Sequence, residues 1–374
     1  MLDFYRKHLA RIRQPVSDRE IARCQLTAGQ QAERIRGHLA GRRADGELRA
    51  LPERPRIFIA VRNVNWEQVG LVDSWRPLAD VVHFDWGDRY EQSGDDWFAR
   101  GRAAFGAELL ERVRAAHAEQ PVDIFFSYLS GRWVDRAIIE QIGALGILTV
   151  NYDFDDSRKF WNTRKHGVYT GSAEIAPAFD VCVTAQSSSN VGKYVAIGAN
   201  PLFLPSGGNE QVFAIPQDRE RDIPVSFIGQ NYGVRGEMIR YVEQHGIEVY
   251  KRGVGWPLGP VCQDEMLEIY GRSLIALGFG YIGKTDQLGL KGRDFEVPMT
   301  GCAYLTTWNQ ELAEYFVPNR EILFYKNEDE LVGQLRTHIA DPVGTRCIGS
   351  MGRVRSLREH TWRARLQRLI NTIK

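Results

Sequence analysis

The chain has 374 residues, of which 43% are hydrophobic and 25% charged, and its formal net charge is +1. This length favours two domains at about 100–200 residues per domain, each with its own core. The nearly neutral charge argues against a nucleic-acid-binding protein. The five scattered cysteines include no CxxC pair, which argues against a zinc knuckle or a disulfide framework.

The charge is unevenly distributed along the chain. Residues 1–50 carry +5 and residues 346–374 carry +7, which leaves −11 for the residues between them. Two basic ends suit an anionic partner such as a lipid surface, but solvated helix faces would give the same counts. No stretch approaches the ~20 apolar residues of a membrane span, and the N-terminus lacks the apolar core of a signal peptide. We therefore predict a cytoplasmic protein and leave open peripheral contact at the inner membrane face through the basic ends.

The first half of the chain predicts a helical segment followed by alternating strands and helices. Residues 3–49 are polar and favour helix, and the first strand is predicted at 56–61. The later strands of this half are predicted at 81–86, 122–129, 146–154 and 179–185, and the helices at 95–120 and 135–145. Short apolar strands separated by helices indicate βαβ units and a parallel sheet covered on both faces.

The pattern breaks at residues 204–224, where glycine, proline and charged residues predict a linker between domains. The alternation then restarts. The strands of this half are predicted at 225–229, 248–253, 274–280 and 303–307, and the helices at 235–246, 264–273, 293–301, 328–341 and 354–374. In the last helix, an apolar stripe from Val354 to Ile373 predicts a packed face. The sequence thus predicts an α/β fold of two doubly wound domains with a crevice between them.

Parallel α/β sheets bind ligands at the carboxyl ends of their strands. In the second half, three turns are in a position to do so: FIGQNYGVRGE, YKRGVGW and LKGRDFEVPMTG. Gly229 ends the first of these strands, and Arg235 begins the following helix. Backbone N–H groups and a cation at a helix start suit a phosphate group, although a simple tight turn would give the same glycine pattern.

These segments, in this order, resemble glycosyltransferases of the GT-B fold. Within that class they resemble the CgeB-like (spore-maturation-protein-like) group, which is related to glycosyltransferase group 1. FIGQNYGVRGEMI is followed by GVGW, LKGRDFEVPMTGCAYLT, EILFYKNEDELVGQL and RSLREHTWRARLQRL. The first half contributes DIFFSYLSG, GILTVNYDFDD and FDVCVTAQSSSNVGKYVAIGANPLFLPSGGN. The resemblance covers roughly residues 55–372.

The resemblance implies two Rossmann-like domains with a cleft between them. The implied parts are a helical preface at 1–50, an acceptor domain at 51–204, a nucleotide-sugar donor domain at 205–350, and a C-terminal helix at 351–374 that packs back toward the N-terminal domain. The implied activity is that of a hexosyltransferase-like enzyme in polysaccharide biosynthesis. It would move a sugar, with retention, from a nucleotide-diphosphate sugar to a hydroxyl acceptor such as a glycan, a lipid-linked glycan or a protein. Three alternatives stay open: a nucleotide-sugar 2-epimerase, a non-catalytic protein that binds nucleotide sugars, and a membrane-recruited scaffold that uses the basic ends. The match of five segments argues against the scaffold.

The resemblance also implies that Glu296 binds the ribose hydroxyls of the donor. A carboxylate can accept two hydrogen bonds from a vicinal diol, and a helix N-terminus stabilises its charge. Basic residues nearby in sequence, and Arg235 from the first turn, can neutralise a diphosphate. In the alternative interpretation, Glu296 caps its helix and pairs with Arg293. The predicted donor-binding residues are Gly229, Gln230, Arg235, Lys284, Lys291, Arg293 and Glu296.

One position departs from the pattern of the wider superfamily. Many retaining members carry two glutamates eight positions apart, and here Leu288 stands eight positions before Glu296. The first glutamate is therefore absent, which leaves the stereochemical outcome open.

The segment NYDFDD ends a predicted strand and contains the pair Asp153 and Asp155. Two carboxylates at this spacing suit a divalent cation, but they lie far in sequence from the phosphate turns. We therefore predict that the reaction needs neither a metal nor a cofactor. Asp155 and Asp156 are the candidate catalytic residues, because a carboxylate base could deprotonate the acceptor hydroxyl. A loop that caps the helix near Ser157 is the structural alternative.

Aromatic residues of the first half are candidates for stacking on a sugar, although aromatic residues are as often part of a core. The predicted acceptor-binding residues are Tyr128, Arg132 and Trp161.

Overall fold

The computed structural model describes residues 15–64, 66–90, 92 and 96–374. These residues form two compact units. One comprises the described residues up to Leu204 together with Leu366–Lys374, and the other comprises Pro205–Arg365. The division falls where the sequence predicts the linker. Residues 1–14 of the predicted helical preface lie outside the described residues.

The first unit contains a six-stranded parallel sheet with the strand order β2-β1-β3-β4-β7-β8. A two-stranded antiparallel hairpin, β5-β6, lies apart from it. The strands are Arg56–Ala60 (β1), Asp80–Phe84 (β2), Ile124–Ser127 (β3), Leu148–Asp153 (β4), Arg164–Lys165 (β5), Val168–Tyr169 (β6), Val181–Thr184 (β7) and Pro201–Phe203 (β8).

The helices of this unit connect the strands and cover the sheet. They are Asp18–Arg23 (α1), Ala28–Ala44 (α2), Asp73–Trp75 (α3), Arg102–Glu119 (α4), Arg136–Gly143 (α5), Asp156–Lys159 (α6) and Val191–Ala196 (α7), with π-helical turns at Glu67–Val72 and Trp97–Gly101. The described part of the predicted helical preface forms two helices, α1 and α2. Thr27 and Gln30 make a capping box that starts α2 and thereby separates it from α1.

The core of the first unit explains its apolar strand sequences. Every residue of β1, β3, β4 and β7 is buried, as expected for a parallel sheet with helices on both faces. From α4, Phe105, Leu109 and Val113 pack into the core at helical spacing.

The second unit contains a five-stranded parallel sheet with the order β10-β9-β11-β12-β13. Its strands are Ile223–Ile228 (β9), Tyr250–Arg252 (β10), Ser273–Leu277 (β11), Ala303–Thr307 (β12) and Leu323–Tyr325 (β13). The helices that follow α7 are Glu210–Phe213 (α8), Arg235–Gln244 (α9), Gln263–Arg272 (α10), Arg293–Met299 (α11), Glu328–Ala340 (α12), Pro342–Glu359 (α13) and Trp362–Ile373 (α14). No helix among the described residues has the length and apolar content needed to span a bilayer.

The C-terminal helix differs from the prediction. The single helix expected at 354–374 is two helices, α13 and α14, because the backbone of Gly208 inserts between them. The Gly208 amide donates to the His360 carbonyl at 3.0 Å, and the Trp362 amide donates to the Gly208 carbonyl at 2.9 Å. Val354, expected on the packed stripe, is 62% exposed. The unit boundary falls within α14, so residues 351–365 belong with the second unit.

Each sheet has one switch point, which is the place where the strand order reverses. In the first sheet, β1 lies between β2 and β3; in the second, β9 lies between β10 and β11. Ligands of parallel α/β sheets bind outside the carboxyl ends of the strands at such points. The topology therefore gives each unit one preferred edge for a ligand.

Candidate functional site

At the switch point of the second sheet, the turn after β9 requires glycine. Gly229 has a φ of +154°, a backbone conformation that favours glycine. A Cβ at this position would lie 2.9 Å from both terminal guanidinium nitrogens of Arg293. The absence of a side chain therefore lets Arg293 reach the end of β9, where its Nη1 donates to the Ile228 carbonyl at 3.1 Å.

The turn after β10 packs directly on this first turn. The Trp256 indole Nε1 donates to the Gly229 carbonyl at 2.8 Å, and the Asn231 amide donates to the Val254 carbonyl at 2.8 Å. Gly253 has a φ of +135°, and a Cβ there would lie 2.2 Å from the Gly229 carbonyl oxygen. The two glycine-containing turns thus hold each other in one arrangement.

Two arginines meet at this edge. Arg235 begins α9 and Arg293 begins α11, and their guanidinium carbons lie 5.7 Å and 5.6 Å from the centre of the same ring, that of Phe227. Burial and the charge of Arg293 lower the pKa of Arg235 to about 10. In the described part of the chain, neither arginine forms an ion pair with a carboxylate. Two like charges that form no ion pair with a carboxylate form a favourable site for an anion.

Glu296 lies one turn into α11 and is half-buried. Burial raises its pKa to about 7, with Arg293 acting in the opposite direction. Its carboxylate makes no hydrogen bond or ion pair with any described residue, so its acceptor capacity is available to a ligand.

Asp294, rather than Glu296, makes the carboxylate hydrogen bonds near the start of α11. One carboxylate oxygen of Asp294 accepts from the Lys291 amide at 2.7 Å, and the other accepts from the Tyr304 hydroxyl at 2.7 Å. Asp294 is buried, and burial raises its pKa. Because Asp294 serves the fold, Glu296 is not needed for that purpose.

The other predicted donor-side residues have varied surroundings. Gln230 is exposed, and its carbonyl accepts from Arg235 Nη1 at 3.0 Å. Lys291 is half-buried beside Asp294. Lys284 is 74% exposed, and its Nζ lies 3.6 Å from a carboxylate oxygen of Glu237. Its ion pair is therefore with Glu237.

The first unit contains a cavity of about 360 Å³ at the switch point of its sheet. It is lined by basic, acidic and aromatic side chains from the loops after β1, β2, β3 and β4. They include Arg62, Glu67, Trp86, Tyr128, Arg132, Trp133, Asp153, Asp155 and Lys159. Two of the three predicted acceptor residues, Tyr128 and Arg132, therefore share one cavity with the candidate base Asp155.

Asp155 is half exposed at this cavity. Its carboxylate accepts from the Tyr128 hydroxyl at 3.2 Å and from Lys159 Nζ at 2.7 Å. Burial, followed by the charges of Asp155 and Asp153, raises the pKa of Tyr128 above its usual range. The phenol therefore remains protonated and keeps its hydrogen bond to Asp155.

Asp153 is buried, and its carboxylate accepts from the Asp155 amide and the Ser172 hydroxyl. Burial and the nearby Asp156 raise its pKa. Among the described residues, no group of three or more histidine, cysteine, aspartate or glutamate side chains is arranged to hold a metal ion.

Two predicted residues are not at the cavity. Asp156 is fully buried and accepts from Asn190 Nδ2 at 2.8 Å and from the Tyr194 hydroxyl at 2.9 Å. A carboxylate enclosed in this way cannot reach an acceptor hydroxyl, so the structure argues against Asp156 as the base. Trp161 is 9% exposed and packs in the core on the rings of Phe160 and Tyr169, which makes it a packing residue.

Three residues that line the cavity, Arg62, Glu67 and Trp86, were not predicted from the sequence. All three follow the carboxyl ends of β1 or β2, so the rule that ligands bind at strand ends would have identified them. Glu67 accepts from the amides of Val64 and Trp66 at 2.9 Å and 3.2 Å. The Trp86 ring packs against the Trp133 ring, with 4.9 Å between the ring centres.

Comparison with known proteins gives a family match for part of the chain and a fold match for most of it. Residues 235–371 match the family described as glycosyl transferase-like. No curated protein sequence matches the chain.

Three solved structures are similar over most of their length. HepE from Anabaena, solved in complex with UDP-glucose, has a TM-score of 0.60 at 11% identity, covering 86% of this chain and 99% of that chain. A sucrose-phosphate synthase from Thermosynechococcus elongatus has a TM-score of 0.58 at 12% identity. The match covers 84% of this chain and 98% of that chain. A protein from Listeria monocytogenes, named as a candidate UDP-N-acetylglucosamine 2-epimerase, has a TM-score of 0.51 at 10% identity, covering 86% and 96%.

At these identities, the likeness shows the fold. Two Rossmann-like domains with parallel sheets match the GT-B class, so the fold prediction is confirmed. The arginine pair and Glu296 both lie within the segment that matches the glycosyl transferase-like family.

Proposed function

We propose that the protein is a hexosyltransferase-like glycosyltransferase that transfers a sugar from a nucleotide-diphosphate sugar to a hydroxyl acceptor. One observation carries this proposal. Arg235 and Arg293 lie without carboxylate partners among the described residues, beside the unpaired carboxylate of Glu296, at the switch point of a parallel sheet. The glycosyl transferase-like match covers all three residues.

The two arginines would bind the diphosphate of the donor. Their mutual repulsion disfavours the unliganded state, and an anion between them removes that cost. Guanidinium groups match phosphate oxygens in geometry and charge. They would supply the positive charge that a metal supplies in other transferases, which supports a reaction without an essential metal or cofactor.

Glu296 would bind the ribose. Its carboxylate can accept two hydrogen bonds from the vicinal hydroxyls, and it lies on the same helix as Arg293. A ribose and a diphosphate bound side by side on one helix would suit a nucleoside diphosphate. HepE was solved with UDP-glucose, and UDP-glucose is therefore the first donor to test.

The cavity of the first unit would bind the acceptor. Its aromatic rings, including Trp133, could pack on a sugar face, and its charged groups could bind hydroxyl groups. Asp155 would act as the base on the acceptor hydroxyl, because its carboxylate is half exposed and lines the cavity. Arg132, held by Gln92 at 2.9 Å, would help to position the acceptor.

We further propose membership of the CgeB-like group, a cytoplasmic location and a role in polysaccharide biosynthesis. The order of the sequence segments supports the group. Retention of the anomeric configuration is the outcome that the resemblance implies, although Leu288 replaces the first of the two glutamates.

A nucleotide-sugar 2-epimerase is the second candidate, because a candidate epimerase shares the fold at nearly full coverage. Proton NMR of UDP-glucose and UDP-N-acetylglucosamine, with and without a panel of hydroxyl acceptors, distinguishes the two. Transfer predicts UDP release that depends on an acceptor, and the anomeric coupling of the product reports retention or inversion. Epimerisation or nucleotide release without any acceptor would favour the epimerase. Binding of UDP without turnover under every condition would identify a non-catalytic protein.

A further inference from the structure

Helix α13 buries small residues on one side and exposes several apolar residues on the other. The buried positions of this helix are Thr345, Gly349, Gly352 and Ser356. A Cβ at Gly349 would lie 2.4 Å from the Gly301 carbonyl oxygen, and a Cβ at Gly352 would lie 2.2 Å from the Glu321 carbonyl oxygen. The helix is therefore held by close approach of its backbone to other parts of the second unit, together with Ile348, which packs against the core.

The opposite face of α13 presents an apolar stripe to solvent. Val343, Met351 and Val354 are 63%, 41% and 62% exposed, and Cys347 between them is also exposed. Their spacing of four, four and three residues places them on one side of the helix. Most amphipathic helices turn such a stripe toward the core, whereas α13 turns it outward, where a binding partner could cover it.

A loop that packs against the C-terminal half of α13 also carries exposed residues. Arg355 Nε donates to the Tyr315 carbonyl at 3.1 Å, which fixes the loop against the helix. Two residues farther along the loop, Val317 is 45% exposed, and Arg320 is exposed as well. We call the exposed residues of α13, together with Val317 and Arg320, the α13 face.

The α13 face is also basic. Helix α13 has four arginines and a single acidic residue, Glu359. Glu359 is shared between Arg355 and Arg358, with contacts of 3.0 Å and 2.6 Å. Arg346 is exposed and has no ion pair with any residue that the structure describes. The apolar stripe is thus flanked by a net positive charge, because the single carboxylate of Glu359 offsets only part of the charge of the four arginines.

We propose that the α13 face docks on an anionic lipid surface. A narrow apolar stripe flanked by arginines suits the boundary between acyl chains and anionic headgroups. A second copy of the chain fits less well, because a two-fold interface would place the arginines of one copy against those of the other. This proposal is independent of the proposed function, since none of its residues belongs to the arginine pair, Glu296 or the cavity.

Vesicle co-sedimentation tests the proposal on the full chain. The probes are vesicles of phosphatidylcholine alone and vesicles of phosphatidylcholine mixed with phosphatidylglycerol. The protein should bind the mixed vesicles at low salt and bind them less as the salt concentration rises, because salt screens headgroup attraction. Binding to neutral vesicles should be weak. Failure to bind the mixed vesicles at low salt would overturn the proposal.

Two double variants and one control assign the binding to the α13 face. M351S with V354S removes apolar contact, and R346Q with R358Q removes two charges; each should reduce vesicle affinity at least tenfold. The control, R36Q with R240Q, removes two charges from arginines exposed elsewhere and should leave affinity within about twofold. Equal loss in the control would mean non-specific attraction and would contradict the proposal.

Two further measurements separate lipid docking from misfolding and from self-association. Thermal melting and UDP binding should be the same for all variants, because the substituted side chains are exposed and lie outside the arginine pair. Sedimentation velocity without vesicles should show no concentration-dependent association. If M351S with V354S abolished a self-association seen in the parent protein, the α13 face would be an interface between copies, and the lipid proposal would be wrong.

Discussion

Among single residues, Glu296 and Arg235 have pKa values shifted toward their neutral forms. Burial raises the pKa of Glu296 to about 7, and burial together with Arg293 lowers the pKa of Arg235 to about 10. Both shifts mean that the charged forms are disfavoured in the unliganded protein. A ligand that donates to the carboxylate and carries negative charge to the arginines would relieve both effects.

Replacing Glu296 by Gln tests its role with little change in shape. A hydrogen bond to a charged group contributes about 1.5–3 kcal/mol, so UDP affinity measured by calorimetry should fall roughly tenfold or more. The fold should remain intact. Because the folded pKa of Glu296 lies above its unfolded value, ionisation destabilises the native state as pH rises through about 7. At pH 8, E296Q should therefore melt no lower than the parent protein. Unchanged UDP affinity would remove Glu296 from the donor site.

The same pKa predicts how donor binding depends on pH. Glu296 is mostly protonated below pH 7 and then loses its charged acceptor, so UDP-glucose should bind more weakly at pH 6 than at pH 8. The expected change is up to about tenfold per pH unit below the pKa. The pH dependence should be absent in E296Q. An equal pH dependence in E296Q would assign the titration to another group.

Arg235 and Arg293 are predicted to bind the diphosphate. R235A and R293A should each weaken UDP by at least about tenfold, since a hydrogen bond between charged groups contributes about 1.5–3 kcal/mol. Uridine, which has no phosphate, should be affected much less. R240A, on the exposed face of α9, is the matched control and should change neither ligand. Equal weakening of UDP and uridine would make the arginines structural.

At the level of secondary-structure elements, the carboxyl end of β4 places three aspartates in three environments. Asp153 and Asp155 both line the cavity, but Asp153 is buried and accepts from the Ser172 hydroxyl, whereas Asp155 is half exposed. Asp156 begins α6 and turns into the core, where Tyr194 and Asn190 donate to it. Burial raises the pKa of Asp156 to about 6. One short segment thus provides both a structural carboxylate and one that can reach a ligand.

The predicted base at this strand end is tested by a pair of substitutions. D155N should reduce turnover by about 10²–10⁴, the usual contribution of base catalysis, with donor affinity unchanged. D156N should instead lower the melting temperature, because it disturbs a buried hydrogen-bond network at a cost of about 1–3 kcal/mol. Full turnover in D155N would leave the cavity as a positioning surface.

Across the molecule, two parallel sheets each place ligand-suited groups at a switch point. In the second unit, the positive charge available to a diphosphate comes from Arg235 and Arg293. We therefore expect glycosyl transfer to survive EDTA with little change in rate. Loss of activity on chelation and recovery on addition of Mn²⁺ would instead make Asp153 and Asp155 candidate metal ligands.

The class of fold follows from local sequence patterns alone. Buried strands such as β4 are continuous apolar runs, and helices such as α4 repeat apolar residues at helical spacing, so these patterns predict a parallel α/β arrangement. Strand ends are also visible in the sequence, which is why Gly229, Arg235 and Asp155 could be identified from it. These features are local, because side-chain period and turn chemistry depend on neighbours along the chain.

Contacts between distant parts of the chain determine which polar groups face a ligand and which serve the core. Asp155 and Asp156 are adjacent in sequence, yet only Asp155 reaches the cavity, because Tyr194 holds Asp156 from 38 positions away. Asp294 turns to Tyr304 in β12, whereas Glu296, two residues along α11, makes no hydrogen bond with a described residue. Val354 fits an apolar stripe in the sequence, but the glycines of α13 pack inward and turn it to solvent. The direction of a side chain depends on partners distant in sequence, and no local pattern contains that information.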